Sequence, residues 1–181
     1  MTMGPGLRKL ALATHLTFAG GWIGAVVAYL ALGIGAVTSE DAHTVRAMWA
    51  AMELTGWYVI VPLALASLLT GLVVALGTKW GLFRYYWVLF SFVLTVLATA
   101  ILLLHMPTVS EIAARAQQEA GADLRALGGD LLHPGVGLVV LLAIHVMNVY
   151  KPPGMTRYGR RKHQEERTRL QRDGPARVPA P

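Results

Sequence analysis

Four of the six histidines, His15, His105, His133 and His145, stand inside stretches that carry no Asp, Glu, Lys or Arg. An ionisable side chain in so apolar a setting is costly, which makes each one a functional candidate. Counted at ~1.5 Å per helical residue, His15 lies about 9 Å beyond Lys9 and His145 about 9 Å before Lys151, the same level on two segments. Two neutral imidazoles facing one another across a helical bundle are what axial ligation of a haem iron requires. His105 and His133 fall near the opposite boundary, about 27 to 32 Å from Arg84 and Lys151 respectively. Two levels of histidine would suit two stacked b haems that pass electrons across a membrane. The outer level would equally suit copper or zinc, with His43 and Met106 as further donors beside His105 and His133.

Structural alternatives stand beside each of these. His15 can be a core histidine bonded to a carbonyl or to Thr95, and His145 has Asn148 on its own face at i+3. His133 precedes Pro134 and can start a helix, while His163 lies in a charged tail. On a straight helix His133 and His145 are turned ~120° from each other, so one wall does not readily present both. Met106 follows His105 directly, and neighbours in sequence point apart on a helix. Met48 and Met52 share a face at i and i+4 and could join His43 in a soft copper site.

The elements that position these side chains follow from charge segregation. Residues 10 to 39, 54 to 78, 85 to 110 and 131 to 150 contain no charged residue, in a chain that is 55% hydrophobic and 14% charged. Each run is long enough for a ~30 Å hydrocarbon core, which takes ~20 helical residues. Alternation of the kind a membrane β-barrel needs is not visible. The expected fold is therefore an all-α integral membrane bundle with spans at about 10–37, 54–77, 85–106 and 133–150. Residues 1–150 form the membrane domain, and 151–181 a basic, disordered tail. The first run is longer than a signal-peptide core and reads as a retained helix.

Loop charge sets the orientation. One side would hold thirteen of the sixteen basic residues, including Arg8, Lys9, Lys79, Arg84 and the tail. The positive-inside rule then places both termini in the cytoplasm. Trp80, Tyr85, Tyr86 and Trp87 read as an aromatic belt at that boundary, and Trp49, Trp57 and Tyr58 as the matching outer belt. Ser39 reads as the N-cap of a helix that runs into the second span, with acidic residues in its first turn. From Pro107 to Asp130 the spacing of Val109, Ile112, Ala113, Ala116 and Leu124 predicts a short amphipathic outer helix between spans three and four. Pro62 should kink the second span, and Gly20, Gly24 and Ala28 offer a small-residue face for close packing.

Several function classes are excluded. Without cysteine there is no disulfide, thiolate site or thiol catalysis. Phosphate loops, nucleophile elbows and zincin helices are missing, as are the paired broken helices of carriers. The basic tail suits anionic lipid headgroups, at roughly 1 kcal/mol per basic residue near the surface, and it has no nucleic-acid-binding signature.

Two segments carry a resemblance. Leu10 to Leu30, with Thr14-His15-Leu16 and Gly20-Gly21-Trp22-Ile23-Gly24, and Thr78 to Met106, with Lys79 to Trp87 and Leu104-His105-Met106, resemble an uncharacterised bacterial family of predicted integral membrane proteins. More distantly, the histidine on the first helix with its Trp-Gly pattern is similar to haem-binding membrane protoporphyrinogen oxidases and to copper-resistance membrane proteins. The resemblance implies a multi-pass protein of a bacterial inner membrane and carries His15 over as a haem ligand. Those relatives place a lysine near the start of the third helix, where this chain has Ser91. The expected function is b-type haem binding with electron transfer or haem-linked redox chemistry and a redox or membrane-protein partner. Copper or other metal handling, or a non-catalytic membrane scaffold, are the alternatives.

Overall fold

The structure, a computed structural model, describes residues 3–78, 81–119, 124 and 126–173. Lys79 and Trp80 of the expected boundary belt, part of the expected outer helix and the Pro-rich end from residue 174 lie outside the described residues. The architecture is all-helical. Helix α1 spans Pro5–Thr38, α2 Ala42–Thr55, α3 Val61–Gly77, α4 Tyr86–Gln118, α5 Leu132–Tyr150 and α6 Arg157–Asp173. A π-helical turn, Gly56–Ile60, joins α2 to α3, so that Ala42–Gly77 is one continuous rod.

Four of these rods are long and apolar enough to cross a membrane, with mean hydropathy from 1.8 to 2.6 in their most apolar windows. At most 28% of each window is buried inside the protein. The remaining apolar surface, including Leu69, Phe90, Leu104 and Val139, needs lipid as its solvent. The chain is a multi-pass membrane protein.

The helices close a ring in which α1 packs on α3 and α5, and α4 packs on the same two. Helix α2 sits between α1 and α4 at the end remote from the chain termini. The densest core lies there, where Trp22, Val26 and Tyr29 of α1 meet Trp49 and Met52 of α2 and Met106 and Val109 of α4. Within lipid, close packing rather than hydrophobic transfer holds such helices together. Glycines allow it, since a Cβ at Gly35 would stand 2.5 Å from the Met48 sulfur and one at Gly56 2.7 Å from the Met106 sulfur.

Several expectations are corrected here. The segment after Pro107 does not begin a separate outer helix but continues α4 to Gln118, with Val109, Ala113 and Ala116 buried against α2. Arg46 of α2 clamps this extension by donating to the carbonyls of Ala116 at 3.0 Å and Glu119 at 2.7 Å. Trp49 is a core residue rather than a belt residue, whereas Trp57 and Tyr58 are exposed. The N-cap of α2 is Asp41, not Ser39, and Glu40 and Asp41 precede the first turn. The Asp41 carboxylate accepts from the Thr44 hydroxyl at 2.6 Å and the Thr44 amide at 2.9 Å, which holds its carboxyl below the usual carboxylate range.

Pro62 sits one residue past the π-turn, whose wider winding suits a residue that has no amide hydrogen to donate. Gly20, Gly24 and Ala28 face outward with no neighbouring helix against them, so close approach runs through Gly21 and Gly33 instead.

Residues 157–173 are helical rather than disordered. Composition offers α6 no apolar face, but Lys162–Glu165 at 3.0 Å and Arg161–Glu165 at 3.5 Å support it internally. These contacts raise the Lys162 ammonium above its ordinary range and lower the Glu165 carboxyl. Thr156 docks α6 on the turn before α4 by donating its hydroxyl to the Phe83 carbonyl at 2.5 Å and its amide to the Arg84 carbonyl at 3.0 Å. Arg84 then pairs with Glu166 at 2.6 Å.

Candidate functional sites

The end of the bundle nearest the chain termini is open. Between α1, α3, α4 and α5 lies a cavity of about 720 Å³, within the ~300–1,000 Å³ range of small-molecule and cofactor sites. Leu12, His15, Leu16 and Ala19 of α1 line it, opposite Ser91 and Thr95 of α4 and His145 and Asn148 of α5. Arg8, Lys9 and Lys151 stand at its terminal end. Both inner histidines therefore border one space. His145 and Asn148 share that wall, as their i+3 spacing requires.

Helix α3 fixes the His15 ring. Its Nδ1 lies 3.1 Å from the Thr70 hydroxyl oxygen, whose own proton goes to the Ala66 carbonyl at 2.7 Å. With that proton committed, Thr70 is the acceptor and His15 Nδ1 the donor, which leaves Nε2 with its lone pair free for a ligand. Gly71 supplies the room, because a Cβ there would meet the ring at 3.0 Å. The partner is Thr70 and not Thr95, which bonds the Ser91 carbonyl of its own helix at 2.7 Å.

Ser91 is the unusual member of this wall. It is buried, lines the cavity, and its hydroxyl has no hydrogen-bond partner among the described residues. A buried hydroxyl left unpaired costs roughly 1–3 kcal/mol, an expense that a ligand with a polar group facing Ser91 would remove.

The outer histidines form a second constellation. His105 Nε2 lies 2.7 Å from Asp130 Oδ2 and His133 Nδ1 3.4 Å from Asp130 Oδ1. The two imidazoles stack with centroids 3.7 Å apart and planes 20° from parallel. Tyr29 donates its hydroxyl to Asp130 Oδ2 at 3.1 Å. Gly33 and Gly129 hold the loop in place, since a Cβ at Gly33 would meet the Asp130 carbonyl at 3.0 Å and one at Gly129 would overlap the Gly33 carbonyl.

Met106 and His43 do not join this group. The Met106 sulfur packs on Gly56 in the core, and His43 is exposed in the first turn of α2. The sequence reading missed Asp130, using it only as the end of the expected outer helix, although its i+3 spacing to His133 is a readable signal. Face-to-face rings directed at one carboxylate do not stand on opposite sides of a haem plane. The outer pair has the geometry of a small-ion or hydrogen-bonded site. No family model, characterised protein or solved structure matches the chain.

Proposed function

We propose that this protein binds b-type haem in the cavity between α1, α3, α4 and α5, with His15 and His145 as ligands, and acts in electron transfer or haem-linked redox chemistry. The observation that carries the reading is that both inner histidines line one cavity of about 720 Å³. The donor set fits the group. The Thr70 bond at Nδ1 leaves His15 Nε2 with its lone pair available, the walls are apolar, and Arg8, Lys9 and Lys151 at the mouth suit the two carboxylates of a haem. The Ser91 hydroxyl, unpaired among the described residues, belongs to the same wall. When bound, the iron would supply one-electron chemistry. The protein would orient the imidazoles, hold the carboxylates at the basic end and exclude water along the Leu12, Leu16 and Trp87 walls. The basic residues clustered at the terminal end support a topology with both termini in the cytoplasm, and a bacterial inner membrane is the setting that the sequence resemblance implies.

The test is optical. The chain is produced in membranes with haem precursor supplied, purified in detergent, and compared with His15→Ala and His145→Ala in oxidised and reduced spectra. A reducible Soret band lost in both variants is the expected result. A colourless wild type after haem addition would sink the proposal.

A further inference from the structure

The geometry points to a second ligand site, independent of the inner cavity: a divalent transition-metal site built by His105, Asp130 and His133 at the end of the bundle remote from the termini. One donor atom from each of these residues lies within 4.8 Å of the other two. A cation held ~2.0–2.2 Å from three donors in tetrahedral geometry needs those atoms roughly 3.3 Å apart. The contacts of His105 with Asp130 Oδ2 at 2.7 Å and of His133 with Asp130 Oδ1 at 3.4 Å bracket that spacing, and one donor atom of each residue stays within 4.8 Å of the others, so side-chain adjustments of roughly an ångström would admit the ion.

Three features separate this cluster from an ordinary buried ion pair. The donors come from three different parts of the chain, namely α4, the loop before α5 and α5 itself, and they converge on one point. Their exposure is graded, at 8% for the Asp130 side chain, 17% for His105 and 49% for His133, which leaves a path for an ion past His133 into a sheltered carboxylate. Tyr29 already performs the supporting task that metal-bound carboxylates require, an outer hydrogen bond that fixes their orientation.

Two imidazoles and one carboxylate select the class of ion. Calcium and magnesium take all-oxygen shells, whereas zinc and its first-row neighbours accept nitrogen with oxygen. Three protein donors leave a fourth position for water or an external ligand, as in zinc sites that exchange a ligand, unlike structural sites closed by four side chains.

The experiment uses the full chain in detergent, stripped with chelator and titrated with Zn2+ in a metal buffer, with metal content read by mass spectrometry. Co2+ is the spectroscopic substitute. Wild type should take up one ion at micromolar free zinc or below, and its cobalt form should show ligand-field bands of a four- or five-coordinate ion. His133→Ala, at a half-exposed position, should lose at least tenfold in affinity, and Asp130→Asn should abolish binding. Tyr29→Phe should weaken binding by roughly 10- to 100-fold, the range for supporting partners, with the cobalt bands shifted. His43→Ala should leave binding unchanged. Failure of wild type to retain zinc, or wild-type affinity in His133→Ala and His105→Ala, would overturn the site and leave the cluster as a hydrogen-bonded network.

Discussion

Thr70 on α3 receives a hydrogen bond from His15 on α1 across 3.1 Å while giving its own proton to the Ala66 carbonyl at 2.7 Å. One hydroxyl thus fixes both the rotation and the tautomer of an imidazole on a neighbouring helix. Thr70→Val keeps the shape and removes the acceptor. The expected result is a 10- to 100-fold loss of haem affinity with a shifted reduction potential, and recovery in Thr70→Ser. Spectra and potentials equal to wild type in Thr70→Val would show that the bond is only structural.

Met106 is buried against Gly56 and contributes packing rather than sulfur ligation. Met106→Ala should destabilise the protein by about 2–5 kcal/mol in a denaturant titration, as for other large-to-small core changes. Met106→Leu, which preserves volume, should leave zinc affinity within twofold of wild type.

Gly159 lies so close to the Arg84 backbone that a Cβ would overlap its carbonyl oxygen. Gly159→Ala should detach α6 without disturbing the membrane helices. Faster proteolysis between residues 150 and 160, with unchanged thermal unfolding of the bundle, is the pattern to look for. An unchanged cleavage rate would mean that α6 docks by other contacts.

Asp41 caps α2 through Thr44, and these bonds depress its carboxyl from the ordinary range. A depressed carboxyl stabilises the fold above its unfolded-state value, and the contribution is lost as pH falls through the folded-state value. The protection of the His43 and Thr44 amides, measured relative to their intrinsic exchange rate at each pH, should therefore fall as the solution is acidified below the ordinary carboxylate range. Asp41→Ala should leave these amides with low protection at every pH, and wild-type protection that does not change with pH would contradict the cap.

The four spans were legible because absence of charge is a signal that lipid itself imposes, residue by residue. Their true ends were not, since α2 and the last turns of α4 carry charges and are held by each other beyond the apolar slab, through Arg46 and the Val109–Ala116 face. Depth counting put His15 level with His145 and His105 level with His133, and the structure brings each pair to a shared site. Counting could not reveal Thr70 as the partner of His15, because that depends on which faces of α1 and α3 meet. Asp130 escaped because its role rests on Gly33 and Gly129 letting a loop touch α1. Helix α6 escaped because Thr156 and Gly159 dock it through backbone contacts that composition does not record.

Helix α5 has only 19 residues, against 33 or more in each of the other three rods. At ~1.5 Å per residue it spans roughly 29 Å, the thickness of a hydrocarbon core with nothing to spare, while its neighbours have about 20 Å in excess. The longer rods could slide or tilt to suit membranes of differing thickness, but α5 cannot follow them without drawing one end into oil. The shortest helix therefore works as a depth gauge. It pins His133 at one surface and Lys151 at the other, and a bilayer several ångströms too thick would strain the loop that carries Asp130 before it disturbed the rest of the bundle.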